Sequence, residues 1–289
     1  MGHDKLRKFA ENESFACLLQ PSAADILGSG GYFALTDHPV KGHWREFFAA
    51  LPYASSSLAG PASSSGLVLE LGCGKGEYTV ALAQRDPSRN YVGVDIKGAR
   101  LWKGAKFATQ NRLPNVGFLR TRVEFITALF APGEVSEIWL TFSDPQFRSE
   151  NSRLSSPLFL ERYRNICGPD GIVHLKTDSR FLHEYTRAVC EANSLEVIAC
   201  TQDLYGTEGG DGIPPVAREV QTFYETLFRE QGYAITYLSF RLRHDGPYVH
   251  PTAFDAEYWR SVEGPRLLFG HDSAETRRRK LAASASENI

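Results

Sequence analysis

From Leu67 onward, short apolar runs alternate with helical segments, and this alternation constrains the fold more than any other feature of the chain. LVLEL (67–71), YVGVD (91–95), VGFLR (116–120), SEIWLTF (136–142) and GIVHLK (171–176) each read as a buried strand. Between and after them, Glu77–Gln84, Gly98–Asn111, Phe125–Phe130, Leu158–Ile166 and Phe181–Asn193 read as helices, with Leu101, Ala105 and Ala108 spaced for one face. Strands that alternate with helices require parallel crossovers. LEVIAC (195–200) and AITYLSFRL (234–242) are separated by a polar loop and a helix near Val220–Gln231, outside the earlier rhythm. The expected fold is therefore α/β and doubly wound: a mostly parallel seven-stranded sheet with an antiparallel edge strand.

The flanks differ in character. Residues 1–60 read as an amino-terminal extension, with a basic start (Lys5, Arg7, Lys8), a glycine-rich turn at Gly28–Gly31 and an aromatic segment, WREFF (44–48). Ala54–Gly66 is small and polar and reads as a linker. The main domain is then 61–245, and 246–289 reads as a tail that carries a basic run at Arg277–Lys280. Hydrophobic residues make up 42% and charged residues 23%, which excludes simple disorder, collagen and coiled coil for the whole. No apolar run approaches the ~20 residues of a membrane span. The charged start is not a secretory signal. Five scattered cysteines (Cys17, Cys73, Cys167, Cys190, Cys200) form no CxxC pair, which points to a reducing cytoplasm.

The first strand runs into LELGCGKGEY (69–78). Glycines at 72, 74 and 76 allow a tight turn and a close backbone approach by a ligand at the strand ends. Asp95 closes the next strand about twenty residues later, where a carboxylate can grip a ribose diol. A dinucleotide site wants a third glycine where Glu77 stands, and Glu70 precedes the loop. Two acids repel a pyrophosphate and favour a cation. S-adenosylmethionine, with its sulfonium and ammonium, fits best; NAD and a purely structural turn are the alternatives. Cys73 reads as a small filler rather than a nucleophile.

The fourth strand ends in TFSDPQF (141–147). It delivers Asp144 to the same carboxyl edge, and Pro145 turns the chain out of the sheet. An acid followed by proline and an aromatic suits the meeting of a methyl donor with a planar, nitrogen-bearing substrate; a plain Asp-Pro turn is the other reading. Net charge is −2, with no global basic footprint. Yet between Lys97 and Phe125 seven basic residues face one acid, a local charge of +6. That is either a polyanion contact or a solvated helix face.

LELGCGKGEY, YVGVDIKGARLWKGAK, FLRTRVEFI, WLTFSDPQF, HLKTDSRFLHEYT and VQTFYE, in this order and spacing, resemble the bacterial tRNA (guanine-N7)-methyltransferase family from about Leu67 to Leu242. The opening GHDKLRKFAENESF is similar to the start of one branch. The resemblance implies a Rossmann-like class I methyltransferase fold. It also implies S-adenosylmethionine as donor, tRNA as partner, and methylation of a variable-loop guanine, position 46 of the tRNA. Carried over by residue, it places Glu70 and the backbone of Gly72 and Gly74 on the methionine part of the donor and Asp95 on the ribose. Thr121 and Arg122 fall near the adenine. Asp144 is the acid where donor and guanine meet, and the candidate catalytic residue. Arg148, Asp178, Thr222 and Glu225 fall at substrate-binding positions. No metal is implied.

The sequence departs from the family pattern at Ser143, where the family has proline, and in QFRSENSRLSS (146–156), which keeps only Arg148 and Arg153 of a usually basic run. Two rivals follow: a non-catalytic RNA-binding protein on a degenerate methyltransferase fold, and a small-molecule methyltransferase. Structural readings also stand beside the functional ones. His174 reads as a packed core histidine, and Trp102 and Phe107 as core. Asp178 doubles as a cap for the helix starting near Arg180. Thr222 and Glu225 have capping-box spacing.

Overall fold

The computed structural model describes residues 2–29, 31, 34–54, 66–206 and 211–267. Most of the Ala54–Gly66 linker, part of the Gly28–Gly31 turn and the Arg277–Lys280 run lie outside the described residues. In chain order the elements are α1 (Gly2–Asn12), β1 (Leu18–Leu19), α2 (Ala23–Leu27), α3 (Trp44–Ala49), β2 (Leu67–Leu71) and α4 (Glu77–Arg85). Then come β3 (Tyr91–Asp95), α5 (Gly98–Gln110), β4 (Val116–Arg120), β5 (Val135–Thr141), α6 (Pro157–Cys167) and β6 (Ile172–Thr177). The last are α7 (Arg180–Ala192), β7 (Val197–Thr201), α8 (Val216–Glu219), α9 (Phe223–Glu230), β8 (Thr236–Arg241) and α10 (Ala256–Leu267). The segment expected as a helix over Phe125–Phe130 is a 3-10 turn, Val123–Ala128.

One eight-stranded sheet runs in the order β1-β4-β3-β2-β5-β6-β8-β7. Pairing is parallel from β1 to β6, and β8 runs antiparallel to both β6 and β7 at that edge. Every residue of β2 and of β3 is buried, as strands covered on both faces must be. Strand order reverses between β3 and β5 around β2. Loops after β2 and β5 therefore leave the same carboxyl edge side by side, the place where open α/β sheets form a crevice.

The eighth strand is β1, from the amino-terminal segment, which forms the edge: Leu18 and Leu19 pair with Phe118 and Leu119 on β4. Two residues carry no readable period. The same segment packs α1 on α5, where Trp102 Nε1 donates to Glu11 Oε2 at 2.7 Å and Asn12 Nδ2 to the Gly98 carbonyl at 3.0 Å. WREFF forms α3, with the Trp44 ring stacked on Phe130 at 5.0 Å. His174 is packed as expected: its ring stacks on Trp139 at 4.1 Å, Nδ1 shares a hydrogen bond with Tyr237, and Nε2 lies 3.2 Å from Glu137. No helix among the described residues is long and apolar enough to cross a membrane.

Candidate active site at the carboxyl edge

All three glycines of the first loop have positive φ, +77° at Gly72, +57° at Gly74 and +70° at Gly76. They serve different ends. A Cβ on Gly76 would stand 2.4 Å from the Phe118 ring, so this glycine lets α4 close on the sheet. A Cβ on Gly74 would meet nothing within 4 Å, and one on Gly72 only Leu154 Cδ1 at 3.9 Å. These two present bare backbone to open space, a cradle for a ligand.

Asp95 clasps this loop to the end of β3. Its Oδ2 accepts from Gly74 N–H at 2.9 Å and its Oδ1 from Lys97 N–H at 2.7 Å. Each oxygen keeps a second lone pair for a diol. Thr121 N–H donates to the Asp95 carbonyl at 3.2 Å, which sets the start of the Thr121–Arg122 turn beside it. The Arg122 guanidinium pairs with Glu124 at 2.9 Å. Ile96, directly after Asp95, is 53% exposed at this edge, an apolar surface that the sequence reading passed over. The signal was an apolar residue standing just past the end of a strand.

Glu70 is buried one residue before the end of β2. Gly76, at the amino end of α4, has no side chain with which to cap it. Glu70 does so from the neighbouring strand: Oε2 accepts from Thr79 N–H at 2.8 Å and from the Thr79 hydroxyl. Oε1 accepts from the Thr141 hydroxyl at 2.5 Å, which ties the glycine loop to the end of β5. Burial pushes the carboxyl up to about 7, against the three hydrogen bonds and with the help of the Asp95 charge. Burial likewise drives the Cys73 thiol well above its ordinary value, as a filler requires.

After Thr141 the chain makes a strained turn. Phe142 and Gln146 both have positive φ, +51° and +47°, which β-carbons disfavour. Such conformations persist only where the surroundings fix them, and they gather at functional sites. Phe142 N–H is held by the Lys176 carbonyl at 2.9 Å. Asp144 is exposed; its Oδ1 accepts from Gln146 N–H at 3.0 Å, a local Asx turn. Arg148 is exposed. Arg153, expected on the basic rim, is instead 3% exposed. It lies 4.7 Å from the Phe181 ring and 4.3 Å from the Tyr185 ring, and its Nε donates to the Pro145 carbonyl at 3.3 Å.

Asp178 follows β6 at the same edge and is half-buried. It is not the cap of α7: Ser179 is, accepting from Leu182 N–H at 3.1 Å. Thr222 and Glu225 do form a capping box at the start of α9. Glu225 is also fully buried. Its oxygens accept from Lys176 Nζ at 2.7 and 2.8 Å and from the Tyr205 hydroxyl at 2.6 Å. Burial lowers the Lys176 ammonium to about 8, with the Glu225 charge opposing. Both carboxylate oxygens of Glu225 are engaged inside the fold, and the Lys176–Glu225 pair fastens α9 to β6. The amino end of α9 in turn overhangs the glycine loop. Phe223 N–H donates to Glu77 Oε2 at 3.2 Å, and Lys75 Nζ lies 5.3 Å from the exposed Phe223 ring.

The basic stretch is partly neutralised within the protein. Lys103 pairs with Glu77 at 2.9 Å and Lys106 with Glu11 at 3.5 Å. Lys97 and Arg100 are exposed beside the crevice. Trp102 and Phe107 are not core residues: Trp102 is half-buried, and Phe107 is 43% exposed. They line a groove of about 470 Å³ between α4 and α5, with Lys75 and Lys103 at its rim.

A sheet edge with a bare glycine cradle, a carboxylate clasp and a strained Asp-Pro turn matches known proteins in sequence. Residues 64–236 match the family model described as "Putative methyltransferase". The chain is 43% identical to the tRNA (guanine-N(7)-)-methyltransferase of Christiangramia forsetii, covering 83% of this chain and 98% of that protein. It is 43% identical to the protein of the same name from Bacteroides thetaiotaomicron, covering 87% and 90%. With the one from Porphyromonas gingivalis it shares 48% identity, covering 61% and 71%. Identity at this level, over nearly the whole of the first relative, leaves no room for a mere likeness of fold: the chain belongs to the tRNA (guanine-N7)-methyltransferase family.

Proposed function

We propose that this enzyme transfers a methyl group from S-adenosylmethionine to N7 of a variable-loop guanine in tRNA, in the cytoplasm. The observation that carries the reading is the hydrogen bond from Thr141 to Glu70, which sets the glycine cradle and the Asp144 turn side by side at one edge. Bound there, S-adenosylmethionine would supply an electrophilic methyl group. The open backbone at Gly72 and Gly74 accommodates such a ligand, and Asp95 retains acceptor sites for its ribose hydroxyls. Glu70 lends negative character at the end that holds an ammonium. Thr121, Arg122 and Ile96 would border the donor's adenine.

Guanine N7 has an in-plane lone pair and needs no deprotonation. The protein's task is alignment, since reacting groups held in line at contact distance gain most of what catalysis here requires. Asp144, with one carboxylate oxygen held by its own turn and the side chain exposed, would orient guanine and offset positive charge developing on the ring. In this reading Arg148 and Asp178 would contact the methyl acceptor beside it. Thr222 and Glu225 act through the fold, holding α9 over the loop. The guanine must leave its stack to enter, and exposed Lys97, Arg100 and Arg148 would take phosphates.

The test is incubation with labelled donor and unmodified tRNA, followed by nucleoside analysis. Label in 7-methylguanosine supports the reading. Donor and tRNA binding without transfer would instead make the protein a non-catalytic RNA binder, and label only in free heterocycles would make it a small-molecule enzyme.

A further inference from the structure

Beyond β8 the chain turns back along the α6–α7 face. Arg241 pairs with Ile172 at the start of β6, so β8 ends at the edge of the sheet opposite the crevice. From there the chain is pinned step by step. Arg164 Nη1 donates to the carbonyls of His244 and Gly246 at 3.1 and 2.7 Å. The Asn193 side chain pairs with both polar groups of the Val249 backbone, at 2.9 and 2.7 Å. Phe254 then packs edge-on against Phe181 and Tyr185, at 5.2 and 5.4 Å.

This strap delivers α10 to the acceptor side of the crevice. Arg260 Nη2 donates to the Phe147 carbonyl at 2.9 Å. Glu263, 3% exposed, accepts from Phe181 N–H at 2.7 Å and from the Ser179 hydroxyl at 2.9 Å. The turn carrying Asp144 is irregular and strained, and its carbonyls are held by two arginines: Pro145 by Arg153, and Phe147 by Arg260. Ser179, held by Glu263, directly follows Asp178. Both acceptor-side acids thus stand within three residues of a group that α10 grips. The donor-side groups Glu70, Gly74 and Asp95 are tied to one another's strands and to Thr79 and Thr141.

We infer that Arg260 and Glu263 are positioning residues for the methyl-acceptor half of the site: α10 fixes the Asp144 turn and the Asp178 segment and leaves the donor half alone. The inference builds on the role of Asp144 and Asp178 given above. Three readouts on the full chain test it, in Arg260→Met, Arg260→Lys and Glu263→Gln: hydrogen exchange at residues 144–153, single-turnover methylation at saturating tRNA, and donor affinity by calorimetry. Arg260→Met should speed exchange at Gln146 and Ser149. It should also lower the single-turnover rate by about 10- to 100-fold, the scale of a small misplacement of reacting groups, with donor affinity unchanged. Arg260→Lys, which can still donate to the Phe147 carbonyl, should recover part of the rate. Glu263→Gln should act in the same direction, more weakly. A lower melting temperature with an unchanged rate per folded molecule and unchanged exchange in the turn would reduce α10 to a staple and overturn the inference. Parent enzyme inactive on tRNA would strike the proposed function instead, and the exchange arm would still decide whether α10 holds the turn.

Discussion

Lys176 Nζ stands 2.7 Å from a Glu225 carboxylate oxygen, and neither side chain is exposed to solvent. Removing one partner of a buried pair strands the other, at a cost of about 3–5 kcal/mol. Glu225→Gln should therefore lower stability in urea by an amount of that order, and Thr222→Ala by ~1 kcal/mol through the lost cap. Because α9 touches the glycine loop through Phe223 and Glu77, donor affinity should fall as well. A Glu225→Gln protein of parent stability, weakened only toward tRNA, would return Glu225 to direct substrate contact.

Glu70 gives donor binding a pH dependence of defined sign. Its carboxyl, near 7 in the fold against 4.5 for the free side chain, favours the neutral form. Its contribution to the stability of the donor-free protein is thus complete below pH 4.5 and lost as pH rises through about 7. A donor ammonium favours the ionised form, so affinity should increase between pH 5.5 and 7.5, roughly the span around that value, with proton release on binding. Calorimetry in buffers of different ionisation heat measures both. Glu70→Gln should flatten the profile; a flat profile in the parent would separate Glu70 from the donor.

The glycines should part company under substitution. Gly74→Ala adds a methyl to open space at a left-handed residue, costing about 1–2 kcal/mol in strain. It should abolish donor binding while the protein stays folded. Gly76→Ala drives a methyl into the Phe118 ring and should show its damage in the melting curve first. Equal donor affinity in Gly74→Ala and the parent would remove the cradle assignment.

Asp144→Asn keeps the side chain's size and its acceptor for Gln146 N–H. Stability and donor affinity should hold. Single-turnover methylation should drop on the order of 10²–10³, because a preorganised electrostatic contact of about 2.7–4 kcal/mol belongs to the transition state. A stable variant working at the parent rate would leave alignment as the whole of catalysis.

Phosphate contact should follow the exposed charges that, among the described residues, stand outside the ion pairs named above, rather than the raw charge run. Lys97→Glu, Arg100→Glu and Arg148→Glu should each weaken tRNA binding and lower its salt slope by about one. Lys103→Glu breaks an ion pair with Glu77 and should cost stability instead. Equal effects at Lys97 and Lys103 on binding alone would contradict this division.

Seven of the eight strands and the glycine loop were legible, five of the strands because buried parallel strands write themselves as unbroken apolar runs, LVLEL and YVGVD above all. The strand β1 was not, since Leu18–Leu19 is too short to show a period. The positions of the candidate site residues could be named, but their surroundings could not. Nothing local distinguishes Arg148, at the surface, from Arg153, buried against Tyr185 five residues later. Lys176 lies within the strand GIVHLK, and only the arrival of α9, some fifty residues on, gives it a partner. Asp178 and Ser179 are adjacent candidates for one cap, and the choice falls to backbone geometry. The strap from His244 to Glu263 is polar and aperiodic, with its anchors spread over α6 and α7.

The place of β8 between β6 and β7 has a consequence for how the chain reaches its fold. Both flanking strands are synthesised first, and the strand that joins them arrives some thirty-five residues after β7 ends. Until Thr236–Arg241 emerges, β7 has no hydrogen-bonded neighbour in the sheet and the outer edge of β6 stands open. Closing that gap joins segments distant along the chain, the slow kind of step in sheet formation. An unfinished chain halted before residue 236 therefore presents the open edge of β6, a row of unpaired backbone N–H and C=O groups to which another nascent chain can add.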